Sequence, residues 1–154
     1  MKYSRLTLEQ LEALHEEFAR FLATQSITPE AWSRMKAEEP QLAEDQLDLF
    51  SDLIWEGVLN HTRYLDHRSA QQLMLFHATD SRLELIAIRV IDQQIDLQTR
   101  EGLEWLGRNL ADEKVDLYTS HKSYSDRNTD LFDLIQKGAV LSQGEWYKQV
   151  VELL

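Results

Sequence analysis

Residues 72–91, QLMLFHATDSRLELIAIRVI, read as two β-strands joined by a short polar turn. Gln72–Ala78 and Arg82–Ile91 are rich in β-forming residues and flank Thr79-Asp80-Ser81, a pattern that predicts an antiparallel hairpin. In the second strand Glu84, Ile86, Ile88 and Val90 fall on one face, with Leu83, Leu85 and Ala87 on the other. Apolar side chains on both faces predict a strand covered on both sides. Downstream, Asp92-Gln93-Gln94 turns the chain into a short segment, Ile95–Leu97. Val115–Ser120 is a third strand, with Val115 and Leu117 on one side and Tyr118 on the other. HKSYSDRNTD, residues 121–130, is expected to be a long surface loop.

Upstream of the hairpin the period is helical. Thr7 and Gln10 are spaced as a capping box, with Leu6 and Leu11 as its hydrophobic staple. The helix that follows is expected to bury Leu8, Leu11, Leu14, Phe18, Phe21 and Leu22, with His15 in the same stripe. Thr28 caps a second helix with Pro29 in its first turn and Ile27 stapled to Trp32. Pro40 separates this helix from a third, whose expected apolar arc is Leu42, Leu47, Leu49, Phe50, Leu53, Ile54 and Val58. Beyond the sheet, Thr99 caps a helix bearing Leu103, Leu106 and Leu110. Another helix over 129–137 ends at Gly138. Ser142 and Glu145 are spaced as a capping box for a terminal helix, with Leu141 and Trp146 as its staple.

The third helix carries Glu44, Asp48, Asp52 and Glu56, four carboxylates each four residues apart. Like charges at this spacing weaken a helix by a few tenths of a kcal/mol per pair, on the order of 0.2–0.5. The repeated cost suggests compensation by cations, by a partner or by packing on the opposite face. A hard divalent cation is one reading, because it takes oxygen ligands. A docking strip for a basic protein surface is another, and a solvated face paired with Arg and Lys from elsewhere in the chain is the plainest. Trp55 and Leu59 project near the acid side, so the helix is either buried on two faces or presents Trp55 as an interface anchor. Gly57 is expected to permit close helix packing or to soften the helix near its C-terminal end.

The chain has 154 residues, 27 acidic against 16 basic side chains, and a net charge of −11. Residues 1–69 hold 13 acidic and 7 basic groups and residues 70–154 hold 14 and 9, so the charge belongs to the surface as a whole. A field of this sign repels nucleic-acid backbones and anionic membranes and favours basic partners. Without cysteine there are no disulfides, thiolate metal sites or thiol nucleophiles. MKYSRLTLEQ lacks the apolar run of a signal peptide, and no segment has the ~20 apolar residues of a spanning helix. A cytoplasmic protein of one domain, residues 1–154, is expected.

Candidate chemistry elsewhere is sparse. Glu56, His61, Asp66 and His67 contain metal-binding and acid–base residue types but match no HExxH or ExxH pattern. Ser120, His121, Ser123, Tyr124, Asp126 and Arg127 supply the residue types of a nucleophilic triad without a GxSxG or SxxK motif. His77 falls in a strand. Gly102, Gly107, Gly138 and Gly144 stand alone and form no phosphate-cradling loop.

KYSRLTLEQLEALHEEFARFLATQSIT at the start, LDLFSDLIWEGVL in the centre and KGAVLSQGEWY near the end together resemble a family of small uncharacterised proteins from Bacteroidetes. The resemblance spans essentially the whole chain. It implies a single-domain cytoplasmic protein and brings no activity, cofactor or catalytic residue with it.

The fold class expected is α+β: an N-terminal group of three helices packed on a small, mainly antiparallel sheet of three or four strands, with further helices near the C-terminus. The leading functional expectation is a non-enzymatic interaction or regulatory module that binds a basic protein surface through Asp48, Asp52, Trp55 and Glu56. No catalytic residue, metal or cofactor is assigned. A second copy of the chain docked on the Trp55 face is also considered. The alternative is a metal-dependent enzyme or divalent-cation-binding protein using the carboxylates of the third helix.

Overall fold

A computed structural model describes all residues, 1–154. They group into two compact units, Met1–Asn60 and His61–Leu154. The first is helical: α1 (Leu8–Ala13), α2 (His15–Thr24), α3 (Pro29–Glu38) and α4 (Pro40–His61, which ends one residue past the unit). The second contains β1 (Tyr64–Arg68), β2 (Gln72–Ala78), β3 (Arg82–Val90), α5 (Arg100–Arg108), β4 (Val115–Ser123), α6 (Arg127–Gln136), β5 (Val140–Ser142) and α7 (Glu145–Val151). The chain is α+β.

In the helical unit the predicted capping chemistry is present. The Thr7 hydroxyl accepts from the Gln10 amide while the Gln10 side chain accepts from the Thr7 amide, and Thr28 accepts from Ala31 with Pro29 in the first turn. The expected single first helix is instead two, broken at Leu14 (φ −105°, ψ 23°) with no proline or glycine to mark it. Leu8 is consequently 81% exposed, outside the predicted stripe. His15 is exposed too, with Nδ1 3.0 Å from the Glu12 carbonyl oxygen. An aromatic cluster joins α2, α3 and α4. The Phe18 ring lies 5.1 Å from Trp32 and 5.0 Å from Phe50, both edge-on, and Phe21 lies 5.5 Å from Phe50. Such pairs add ~0.5–1.5 kcal/mol each to the area they bury.

Of the apolar arc expected on α4 only Phe50 is buried; Leu47 and Ile54 are half-buried, and Leu42, Leu49, Leu53 and Val58 are exposed, Leu42, Leu49 and Leu53 to 45%, 54% and 58%. Ala43, Ser51 and Leu59, outside that arc, are buried instead. The small residues Ala43 and Ser51 lie on the inner side, which a count of large apolar residues misses. Gly57 is not a packing contact: a Cβ built there meets nothing within 4 Å.

The sheet has the order β4-β3-β2-β1-β5, and every neighbouring pair is antiparallel. The predicted hairpin forms its centre, Gln72–Ala78 paired with Leu83–Arg89 across the turn that contains Thr79-Asp80-Ser81. β3 is buried on both faces, as its composition requires. One face carries Leu73, Leu75, Ile86, Ile88 and Val90, which pack with Leu97, Leu106, Leu110, Tyr147 and Val150. Strands β1 and β5 were not expected; their sequences, YLDHR and VLS, are too polar or too short to show alternation. The predicted loop 121–130 shrinks to 124–126, since β4 continues to Ser123 and α6 begins at Arg127. The Ser142–Glu145 capping box does not form, because Ser142 pairs with Tyr64 in the sheet. Gly144 starts α7 instead, at φ +76°, where a Cβ would lie 2.6 Å from the Tyr64 ring.

Candidate functional site

The carboxylate row of α4 meets the chain's own N-terminus, which runs extended along it. The Lys2 and Tyr3 amides donate to the two carboxylate oxygens of Asp52, at 2.7 and 2.9 Å. Arg5 pairs with Asp48 at 2.8 Å and reaches Glu44 at 4.0 Å. Lys2 pairs with Glu56 at 3.4 Å, and the Tyr3 hydroxyl donates to the same carboxylate. Ser51, fully buried, accepts from the Leu6 amide at 3.0 Å and donates to the Leu47 carbonyl at 2.7 Å. Tyr3 and Leu6 are buried beside the row. The like-charge cost read from the sequence is thus offset within the molecule by two cations and two backbone amides. Asp48, Asp52, Trp55 and Glu56 are each half-buried.

Asp66 and His67, adjacent on β1, project to opposite faces of the sheet. Asp66 accepts from Ser142 at 3.2 Å, and burial raises its carboxyl pKa against that hydrogen bond. No group of three or more His, Asp or Glu side chains is arranged to hold a metal ion. Arg127 has a structural position: its guanidinium donates to the carbonyls of Thr62 (2.6 Å), Thr79 (3.3 Å) and Ala78 (3.4 Å) and to Asn128 Oδ1 (3.0 Å). Tyr124 OH donates to the same Thr79 carbonyl at 2.8 Å.

Register creates a polar seam that linear reading does not show. Ser142, Tyr64, His77, Glu84 and His121 are successive cross-strand partners, one from each strand, on one face of the sheet. Tyr64 stacks on His77 at 4.7 Å, and Tyr147 from α7 covers them at 5.7 and 5.1 Å. The Tyr147 hydroxyl donates to Glu84 Oε2 at 3.1 Å while Arg82 Nε lies 3.3 Å from Oε1. Burial would raise the Glu84 carboxyl; Tyr147 and Arg82 outweigh it and hold the group below its ordinary value. Tyr147 is pushed up to about 12, first by burial and then by the hydrogen bond to Glu84. A cavity of about 270 Å³ opens beside these groups, lined in part by Arg82, Glu84, His121, Tyr147 and Val151.

An ionised carboxylate with a permanent phenol donor and a guanidinium is a satisfied anchor for α7, and its tyrosine is poorly suited to act as a nucleophile at neutral pH. Because the folded tyrosine has the higher pKa, the stabilisation it contributes is complete below its ordinary value of 10.0 and is lost as pH rises towards 12. Tyr147→Phe is expected to cost about 1–2 kcal/mol at neutral pH. The same variant should flatten the fall in stability over that alkaline interval. Urea titrations at stepped pH would read both, and parallel curves for the two proteins would refute the assignment.

Fold and site together define a small acidic α+β protein with a helical unit and a five-stranded antiparallel sheet. The chain belongs to DUF6495, a family of unknown function, whose model matches residues 1–154. No curated protein and no solved structure matches it. No helix is long and apolar enough to cross a membrane.

Proposed function

We propose that this chain is a non-enzymatic, cytoplasmic interaction module that binds a basic protein surface, and that the outward face of α4 is its docking surface. The observation that carries the reading is the exposed line Leu42, Leu49 and Leu53, at 45%, 54% and 58% exposure. Their spacing of seven and four residues places them on one helix face over about 16 Å. Exposed apolar residues in line, rimmed by charge, are a feature of partner-binding surfaces. The rim here is acidic. Asp45 lies exposed within the line, and Asp52 and Glu56 flank it on the side of the carboxylate row.

The matching partner is an amphipathic helix with an apolar stripe and Lys or Arg on its margins. In this reading the leucines are the anchors in place of Trp55, which is half-buried. Asp48, Asp52 and Glu56 supply the acidic field, each already held in place by residues 2–5.

A synthetic Lys/Leu amphipathic helix is a suitable probe. Binding is expected to weaken with added salt, as expected for exposed charges. Leu49→Ser with Leu53→Ser should reduce it at least tenfold without changing the circular dichroism spectrum, since both side chains are solvent-facing. Unchanged binding by that double variant would remove the docking surface. The competing reading, a divalent cation on the α4 carboxylates, has less support, because Lys2, Arg5 and two amides already engage the oxygens that an ion would need. Elemental analysis together with thermal shifts in Mg²⁺, Mn²⁺, Ca²⁺ and Zn²⁺ tests it.

A further inference from the structure

We propose that β4, an edge strand of the sheet, pairs antiparallel with β4 of a second copy of this chain, about a two-fold axis through Thr119. β4 runs nine residues, in uninterrupted register with β3 from Val115 to Ser123, and contains no proline, glycine or bulge. Its other side has no strand, and residues 118–123 are all exposed, Tyr118 to 55%. Such an edge presents unpaired amides and carbonyls to any strand that fits.

The hydrogen-bond phase of the ladder shows which groups point outwards. The Ile91 amide donates to the Lys114 carbonyl at 2.9 Å, so Lys114 and every second residue after it turn their peptide groups towards β3. On the opposite side the Val90 amide donates to Gln71 at 2.8 Å, which gives the same phase. Leu117, Thr119 and His121 therefore point their amides and carbonyls away from the sheet. Val115, also of this set, donates its amide locally to Asp112. A pair centred on Thr119 lets Thr119 exchange both hydrogen bonds with its copy, flanked by Leu117 with His121 on either side.

Charge selects this register and this partner. The strand has two fully charged side chains, Asp116 and Lys122, placed three residues either side of Thr119 on the same face. About the two-fold each Asp116 stands directly opposite the copy's Lys122, at a distance where opposite charges attract across strands. Tyr118 then lies opposite Ser120 and diagonal to its own copy, where its exposed ring is covered. Shifting the axis by one residue in either direction moves Asp116 away from Lys122. Within its own sheet Asp116 has Arg89 as its cross-strand neighbour and Lys122 has Leu83, and along the edge the acid and the base stand in self-complementary order about Thr119.

Sedimentation velocity across a wide concentration range tests the proposal. The native chain is expected to dimerise reversibly, and a monomer throughout would overturn it. Thr119→Pro removes the central outward amide without touching a bond to β3, a place where an edge strand tolerates proline. It should keep the native circular dichroism spectrum and unfolding transition while losing the dimer. Asp116→Lys and Lys122→Asp each set like charges opposite one another twice and should be monomeric alone. Mixed in equal amounts they should recover a heterodimer, because each mismatch becomes a complementary pair. A dimer that survives Thr119→Pro, or one abolished by Leu49→Ser with Leu53→Ser, would place the interface elsewhere. Failure of the mixed variants to associate would overturn the Thr119 register.

Discussion

Gly102→Ala is expected to destabilise the sheet unit by about 3 kcal/mol or more, although helix propensity alone predicts a gain of up to about 1 kcal/mol. The added Cβ would lie 1.8 Å from the Asp96 carbonyl oxygen and 2.5 Å from its carbon. Both are backbone atoms, and that backbone is fastened on either side. Thr99 donates to the Asp96 carbonyl through its amide and its hydroxyl, Leu97 donates its amide to Ala70, and Gln71 donates to Ile95. Leu97 is fully buried in the core that α5 covers. Retreat by Asp96 would therefore disturb the turn, the α5 cap and the core together. Gly57→Ala is the control: the same exchange in α4, where the Cβ meets open space, should raise stability by about 0.5–1 kcal/mol. Urea denaturation of both variants reads the contrast, and equal effects would show that propensity governs the two sites.

Arg127→Met should cost about 3 kcal/mol by removing one charged donor group from three backbone carbonyls. Thr62 precedes β1, Ala78 ends β2 and Thr79 opens the turn to β3, so one guanidinium ties two chain segments at that end of the sheet to the start of α6. Thr62 and Asn128 are buried, which limits replacement of the lost donors by water. Arg127→Lys should recover only part of the loss, since an ammonium lacks the planar fork that reaches several acceptors at once. A loss below about 1 kcal/mol for the methionine variant, or full recovery by lysine, would mean that the carbonyls find other donors. In the sequence Arg127 was one of several polar residues in an expected loop. Its role depends on α6 beginning two residues earlier than the helical pattern suggests.

What was legible in the sequence rests on short-range chemistry. Thr7 with Gln10, and Thr28 with Pro29, specify helix starts because their bonds close within three residues. The central hairpin is legible for the same reason, its strands being long, apolar and separated by three residues. Legibility ends where a contact partner is remote. β1 and β5 have little pattern of their own and are strands because β2 and β1 pair with them. The seam from Ser142 to His121 unites residues up to 78 positions apart and exists only once the register is set.

The row Glu44, Asp48, Asp52 and Glu56 divides along the same line. By itself the sequence determined that four like charges share one side of a helix at a small cost that suggests an offsetting contact, because helical spacing is a local property. Only the tertiary structure decided what does so. Lys2, Tyr3 and Arg5, more than 38 residues away, supply the amides and cations, and no helical or strand period in residues 1–6 announces where an extended segment will lie. The same packing decided which leucines of α4 face solvent, since burial depends on neighbours that periodicity does not name.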